Sequence, residues 1–106
     1  MASRARRVSW SRGARDDLDS ILAFIAEDYP EAAMKVLDVV LRLADSLSGL
    51  SERGRMVPEI ANPRIREVLV YSYRLLYEIT DSEVRLLALV HGARDFDRWR
   101  KGRGES

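Results

Sequence analysis

The sequence of 106 residues has no cysteine and a single histidine, His91. A chain without cysteine has neither a disulfide framework nor a thiolate nucleophile, and one histidine cannot form a histidine-rich metal site. No apolar run approaches the roughly 20 residues of a membrane-spanning helix, and no apolar segment follows the basic N-terminus as it does in a secretion signal. We therefore expect a cytoplasmic protein that works without a metal or another cofactor.

Positive and negative charges are nearly balanced. The formal net charge is +1 and the isoelectric point is about 8.1, below the roughly 9 that is typical of domains that bind nucleic acid mainly through charge. Arginines are concentrated at both ends of the chain, whereas acids prevail between them. The two ends form a basic patch if they meet in space, and solvated tails if they do not. The length predicts one domain over residues 1–106, with a core over about residues 8–95 and basic flexible tails.

Periodic apolar residues predict two helices in the first half of the chain. Ser11 can cap the first helix, in which apolar residues recur at intervals of three and four. Pro30 disfavours helical geometry at the residue before it and suits the first turn of a new helix, so one helix should end and the next begin there. Gly49 is the predicted end of the second helix. So short a link predicts an antiparallel helical hairpin with one apolar side.

The remaining segments predict strands. Residues 6–10 are typical of a short strand, and residues 50–64, which contain glycine and proline, of a loop with at most a short extended piece. Residues 65–71, 73–79 and 83–91 are rich in β-forming side chains and separated by short turns, and residues 95–101 suggest a short helix or an extended arm. The predicted fold is α+β: a mainly antiparallel β-sheet packed on an N-terminal helical hairpin, in the order β-α-α-β-β-β.

Turn lengths predict which residues of these strands lie opposite each other. Residues 71–72 and 81–82 suit the loops of two hairpins, and the loop fixes the register of the strands beside it. The predicted pairs are Glu78 with Arg85, Arg74 with Leu89, Leu69 with Arg74, and Glu67 with Leu76. A first loop longer by one residue would turn Glu67 to the other face.

This register sorts the side chains of the strands into two faces. One face gathers Glu67, Arg74 and His91, where carboxylate, guanidinium and imidazole could perform general acid/base chemistry on a phosphodiester while the arginine stabilises developing charge. Alternatively, the three are salt-bridge partners on the solvent side of the sheet. The other face is the predicted core, made of Val68, Val70, Tyr73, Leu75, Tyr77, Ile79, Val84, Leu86, Ala88 and Val90.

Four leucines share the face of Glu67 in the predicted register: Leu69, Leu76, Leu87 and Leu89. So much apolar surface seldom stays open to water. We expect it to be covered by the C-terminal sequence "FDRW" or by a partner chain.

Several segments, in this order and spacing, resemble one protein family. They are "VSWSRGARDDLDSILAFI" with "YPEAA", then "GRMVPEI", "RIREVLVYSYRLLYEI" and "VRLLALVHGARD", which together cover about residues 8–95. The chain resembles the RelE/ParE superfamily of toxins from type II toxin–antitoxin modules, and the ending "HGARD" is more similar to the ParE branch.

The resemblance implies a toxin neutralised by a co-encoded antitoxin, whose C-terminal segment would wrap the toxin as helix and strand. We expect this segment to bind either on the helical hairpin or along the sheet, where it would meet Leu69, Leu76, Leu87 and Leu89. ParE-like toxins poison DNA gyrase, RelE-like toxins cleave mRNA on the ribosome, and a degenerate member would only bind its antitoxin. In a nuclease Glu67, Arg74 and His91 would be catalytic. In the ParE branch His91, Gly92 and Arg94 would be structural, with Gly92 turning the chain off the sheet and Arg94 pairing with an acid such as Glu67. The candidates for contacts with phosphate or the target are Arg55, Arg66, Arg94 and Arg98.

Overall fold

The computed structural model describes residues 5–102. The flexible tails expected at the two ends fall partly on residues 1–4 and 103–106, which lie outside the described residues. No helix in the described part is both long and apolar enough to cross a membrane. The elements in chain order are β1 (Arg7–Trp10), α1 (Arg12–Asp28), α2 (Pro30–Ser46), β2 (Arg55–Met56), β3 (Ile65–Val70), β4 (Tyr73–Ile79), β5 (Glu83–Val90) and α3 (Gly92–Gly102).

The helical hairpin begins and turns where the sequence predicts. The Ser11 hydroxyl accepts a hydrogen bond from the Ala14 N–H at 3.0 Å, which satisfies one of the free N–H groups of the first turn of α1. Pro30 is the first residue of α2. The predicted end at Gly49 is wrong, because α2 already ends at Ser46. The next residue, Leu47, is fully buried, and its N–H bonds to the Ala44 carbonyl in a tighter turn that stops the helix.

The five strands form one sheet in the order β1-β5-β4-β3-β2. All neighbours are antiparallel except β1, which pairs in parallel with β5. The α+β fold with an N-terminal helical hairpin is therefore confirmed. The hairpin packs on one face of the sheet, which we call the hairpin face. Its fully or largely buried core includes Leu18, Val40, Leu47, Leu75, Tyr77, Val84, Leu86 and Leu89.

The opposite face of the sheet, which we call the second face, has its own apolar cluster. Val57 and Ile60, from the segment between β2 and β3, pack there together with Phe96 of α3, and Trp99 adds a partly buried ring. Because Phe96 is 1% exposed, the packed domain extends past the predicted limit at residue 95. The expected "FDRW" cover is thus present, and it forms part of helix α3 rather than a flexible tail.

Tyr77 fixes the loop before β2 from inside the hairpin-face core. Its hydroxyl donates to the Ser51 carbonyl at 2.7 Å and accepts the Gly54 N–H at 3.0 Å. A Cβ at residue 54 would lie 2.5 Å from the Tyr77 hydroxyl and 2.6 Å from the Glu67 carbonyl oxygen. Glycine is therefore required at residue 54 by close approach.

Among residues 5–102, two residues have left-handed backbone angles. Gly92 has φ +86°, and it turns the chain from β5 into α3, as the resemblance described above implies. Tyr71, the first residue of the two-residue loop between β3 and β4, has φ +56°. For a residue with a side chain this conformation costs roughly 1–2 kcal/mol.

Gly54→Ala is expected to lower the free energy of unfolding by about 1–3 kcal/mol, because the added methyl group overpacks the contact with Tyr77. Urea denaturation followed by circular dichroism measures the change. Gly49→Ala is the matched control: its Cβ would meet nothing within 4 Å, so the change should stay within about 0.5 kcal/mol. Equal effects of the two substitutions would contradict the close approach at residue 54.

Candidate functional site

The centre of the candidate site is Glu67, a carboxylate with no solvent exposure on strand β3. Glu67 lies opposite Arg55 of β2 and opposite Leu76 of β4. The pairing with Leu76 is the one that the sequence predicted. One carboxylate oxygen accepts from Arg55 Nε at 2.5 Å and the other from Arg74 Nε at 2.5 Å. The side chain of Glu67 is 0% exposed, whereas that of Arg55 is 65% exposed. The carboxylate is therefore fully engaged by two guanidinium groups.

Arg74 extends this ion pair into a network over the second face. Its remaining nitrogens donate to both carboxylate oxygens of Glu59, at 2.8 and 3.2 Å. Its guanidinium also lies over the Phe96 ring, 4.6 Å from the centroid, a favourable cation–π arrangement. Arg74 thus joins β4 to the segment before β3 and to α3.

The ion pair between Arg74 and Glu59 shifts the pKa values of both groups. The hydrogen bond from Arg74 lowers the pKa of Glu59 below its ordinary 4.5, and the bond to Glu59 is the main cause that raises the pKa of Arg74. Because the carboxyl is more acidic in the folded state, the pair stabilises the fold above about pH 4.5, and this stabilisation is lost as the pH falls through the lowered pKa.

His91 does not join Glu67 and Arg74. The predicted pairs of Glu78 with Arg85 and of Leu69 with Arg74 are confirmed, but Arg74 lies opposite Val90 and not opposite Leu89. The register shifts between Leu76 and Tyr77, which lie opposite Ala88 and Leu86, so that Leu87 has no partner on β4. One extra residue in a strand forms a β-bulge and reverses the alternation of the residues after it.

The bulge exchanges the faces of the last residues of β5. Ala88 and Val90, predicted for the hairpin face, lie in the cluster of the second face, and Leu89 takes their place in the hairpin-face core. His91 is turned away from Arg74, and its ring centroid lies 5.0 Å from that of Tyr73. The predicted grouping of three catalytic residues is therefore wrong in one member.

Three of the four leucines predicted to bind an antitoxin are buried within the chain. Leu76, Leu87 and Leu89 are 0%, 8% and 3% exposed, and only Leu69 is open, at 64%. The reason is twofold: α3 and the segment before β3 cover the second face, and the bulge places Leu89 under the helical hairpin. The expected open apolar face is thus occupied by the protein's own residues.

The four arginines considered for phosphate or target contacts do not converge. Arg66 donates to the carbonyls of Gly54 and Pro63 and therefore serves the loop. Arg94 and Arg98 are exposed on α3 and line a shallow cleft with Asp97 and Lys101. The anticipated pairing of Arg94 with Glu67 is wrong, since Arg55 and Arg74 hold both oxygens of that carboxylate.

Asp17 of α1 is a partly buried carboxylate beside the edge of β5, and it was not singled out from the sequence. Strand β1 ends at Trp10, opposite Leu86, which leaves the rest of β5 without a strand on that side. Asp17 accepts the Leu89 N–H at 3.0 Å, and the Ser11 hydroxyl donates to the Leu87 carbonyl at 3.2 Å. Burial is the main cause that raises the pKa of Asp17. The carboxylate therefore closes an open strand edge, a role with no separate signal in the sequence.

The polar groups of the network are all engaged within the chain. Each carboxylate and guanidinium of the network already bonds to another residue of the chain, and among residues 5–102 no buried side-chain oxygen or nitrogen lacks a hydrogen-bond partner. The same residues contain no cluster of three or more histidine, aspartate or glutamate side chains suited to a metal ion.

Glu67→Gln is expected to lower the free energy of unfolding by about 3 kcal/mol, because it removes one charge from a buried ion pair. Glu59→Gln is the control: this carboxylate also bonds to Arg74 but is 41% exposed, and its loss should cost about 1 kcal/mol or less. Chemical denaturation of both variants at neutral pH measures the difference. A Glu67 variant no less stable than the Glu59 variant would contradict the central role of the buried carboxylate.

Comparisons with known proteins agree with this architecture. The family model described as "ParE toxin of type II toxin-antitoxin system, parDE" matches residues 8–96. A solved structure, "Chromosomal ParDE TA system from P. aeruginosa", has a similar fold, with a TM-score of 0.71 and 20% sequence identity over 86% of this chain and 100% of the other. The search of curated proteins found no match. Since the family match spans most of the sequence and the fold, with its helical hairpin and five-stranded sheet, agrees, this chain belongs to the ParE toxin family of type II toxin–antitoxin systems.

Proposed function

We propose that this toxin acts in the cytoplasm and arrests growth by binding DNA gyrase, without cleaving RNA. The observation that carries the proposal is the buried network of Glu67 and Arg74. A general acid or base must touch its substrate, but the Glu67 side chain is 0% exposed and that of Arg74 is 16% exposed. Both are already paired, and His91 points to the other side of the sheet. Binding of a protein target needs none of these groups to be free.

Exposed cations remain available for contacts with the target. Arg55 is 65% exposed although it pairs with Glu67, and Arg94 and Arg98 lie on the surface of α3. Arg66 is less suited to this role, because backbone carbonyls hold its guanidinium.

The experiment that tests the proposal uses His91→Ala in parallel with the unchanged toxin. Purified toxin should make gyrase accumulate cleaved DNA, and expression without antitoxin should induce an SOS response before translation falls. His91→Ala should retain both effects within about twofold, since the residue is exposed and outside the ion network. Codon-specific mRNA cleavage that His91→Ala abolishes would establish the ribosome-dependent nuclease instead. Normal growth during expression would indicate a degenerate antitoxin-binding module.

We also propose that a cognate antitoxin binds the outer side of the helical hairpin. Leu76, Leu87 and Leu89 are buried, whereas among residues 5–102 several large apolar side chains of α1 and α2 are exposed. Exposed apolar side chains are frequent at protein interaction sites. Phe24 and Met34 are each 72% exposed, and Leu41, seven residues after Met34, lies on the same side of α2.

Phe24→Glu is expected to weaken the toxin–antitoxin complex at least about tenfold, because it places a charge in the apolar contact and removes an aromatic ring. Ala23→Glu, also exposed on α1, is the matched control. Titration calorimetry against the co-encoded antitoxin measures both affinities. Equal affinity of the two variants would exclude this side of the hairpin as the antitoxin site.

A further inference from the structure

Tyr71 is a residue whose presence the fold does not explain. It begins the two-residue loop between β3 and β4 with φ +56°, and positive φ in such loops strongly favours glycine, asparagine or aspartate. Its side chain is 64% exposed. Among residues 5–102 no hydrogen bond, ion pair or ring contact involves that side chain. The backbone is therefore strained at a position where the side chain gives the folded chain nothing in return.

A second exposed apolar side chain, Leu69, lies on the same hairpin and shares a depression with two arginines. Leu69, two residues earlier on β3, is also 64% exposed. It lines a shallow depression together with Arg53 and Arg55, both of which are exposed. The one carboxylate that lines the same depression is Glu67, which has no exposure and is held by two arginines. The β3–β4 hairpin thus exposes an aromatic ring at its tip and, two residues earlier, a leucine whose depression also contains Arg53 and Arg55.

The shape of this surface indicates the kind of partner it fits. A side chain at the tip of a hairpin can be enclosed on several sides by a concave surface of a folded protein. A single helix or strand of an antitoxin has no such pocket. A tyrosine supplies a large apolar area with few rotatable bonds and a hydroxyl for one polar contact, which is why it is frequent among the residues that dominate binding.

We propose that the β3–β4 tip, with Tyr71 as its anchor and Leu69 beside it, inserts into an apolar pocket with an acidic rim on the toxin's folded target protein. The inference rests on the proposed function in taking gyrase as that target. It adds the surface of the toxin that makes the contact and the chemistry of the pocket that receives it. The binding contribution of the Tyr71 side chain would explain why a strained residue is kept at this position. Strained backbone conformations are common at functional sites.

The decisive variant is Tyr71→Gly, because it separates the fold from the contact. Glycine adopts φ +56° without strain, so the melting temperature should be unchanged or higher. Inhibition of purified gyrase should nevertheless weaken at least about tenfold, as for loss of an aromatic anchor. Tyr71→Phe, which keeps the ring, should stay within about threefold of the unchanged toxin, and Ser72→Ala, the other loop residue, is the control for the loop itself.

Affinity for the antitoxin is measured on the same variants and should not change. A Tyr71→Gly toxin that inhibits gyrase as the unchanged toxin does would overturn the proposal. A variant that loses only antitoxin affinity would also overturn it, since the tip would then bind the antitoxin.

If the unchanged toxin does not affect gyrase, the proposed function fails. The role of the tip is then tested by measuring growth arrest in cells that lack the antitoxin. Arrest weakened at least about tenfold by Tyr71→Gly but not by Tyr71→Phe supports the tip with another target. Unweakened arrest refutes it.

Discussion

The carboxylate of Glu67, buried between the guanidinium groups of Arg55 and Arg74, is the interaction on which the second face of the sheet depends. An ionised carboxylate removed from water is unfavourable unless charged hydrogen bonds replace its hydration. Both of its oxygens are bonded at 2.5 Å. Arg74 in turn holds Glu59 and lies over Phe96. The charge on one strand therefore organises the segment and the helix that close the face.

The bulge at Leu87 determines which chemistry the sheet can present. Because the residues after it change sides, Leu89 enters the core beneath the helical hairpin and Val90 joins the second face. His91 then lies against Tyr73, away from the ion network. A single additional residue in one strand thus separates an imidazole from the carboxylate and guanidinium that a regular strand would have placed beside it.

What the fold leaves outside its two cores is a set of surfaces suited to contacts with other proteins. The helical hairpin exposes apolar side chains such as Phe24 and Met34, and the β3–β4 tip exposes Leu69 and Tyr71. These surfaces differ in shape, since one is the broad side of two helices and the other a protruding loop. A toxin held by an antitoxin and directed at a separate target needs two such surfaces, and the proposals assign one to each partner.

The sequence by itself determined the two N-terminal helices, the strands β1 and β3 to β5 and the α+β class, because apolar periodicity, Ser11 and Pro30 act over a few residues at a time. It also predicted that Glu67 and Arg74 share a face, since a two-residue loop fixes the register beside it. Only the tertiary structure decided where His91, Leu87 and Leu89 lie, because a bulge has no local composition that marks it. It likewise decided that Asp17 closes the edge of β5 and that Gly54 meets Tyr77. These contacts join residues far apart in the chain, and their geometry follows from packing rather than from neighbouring residues.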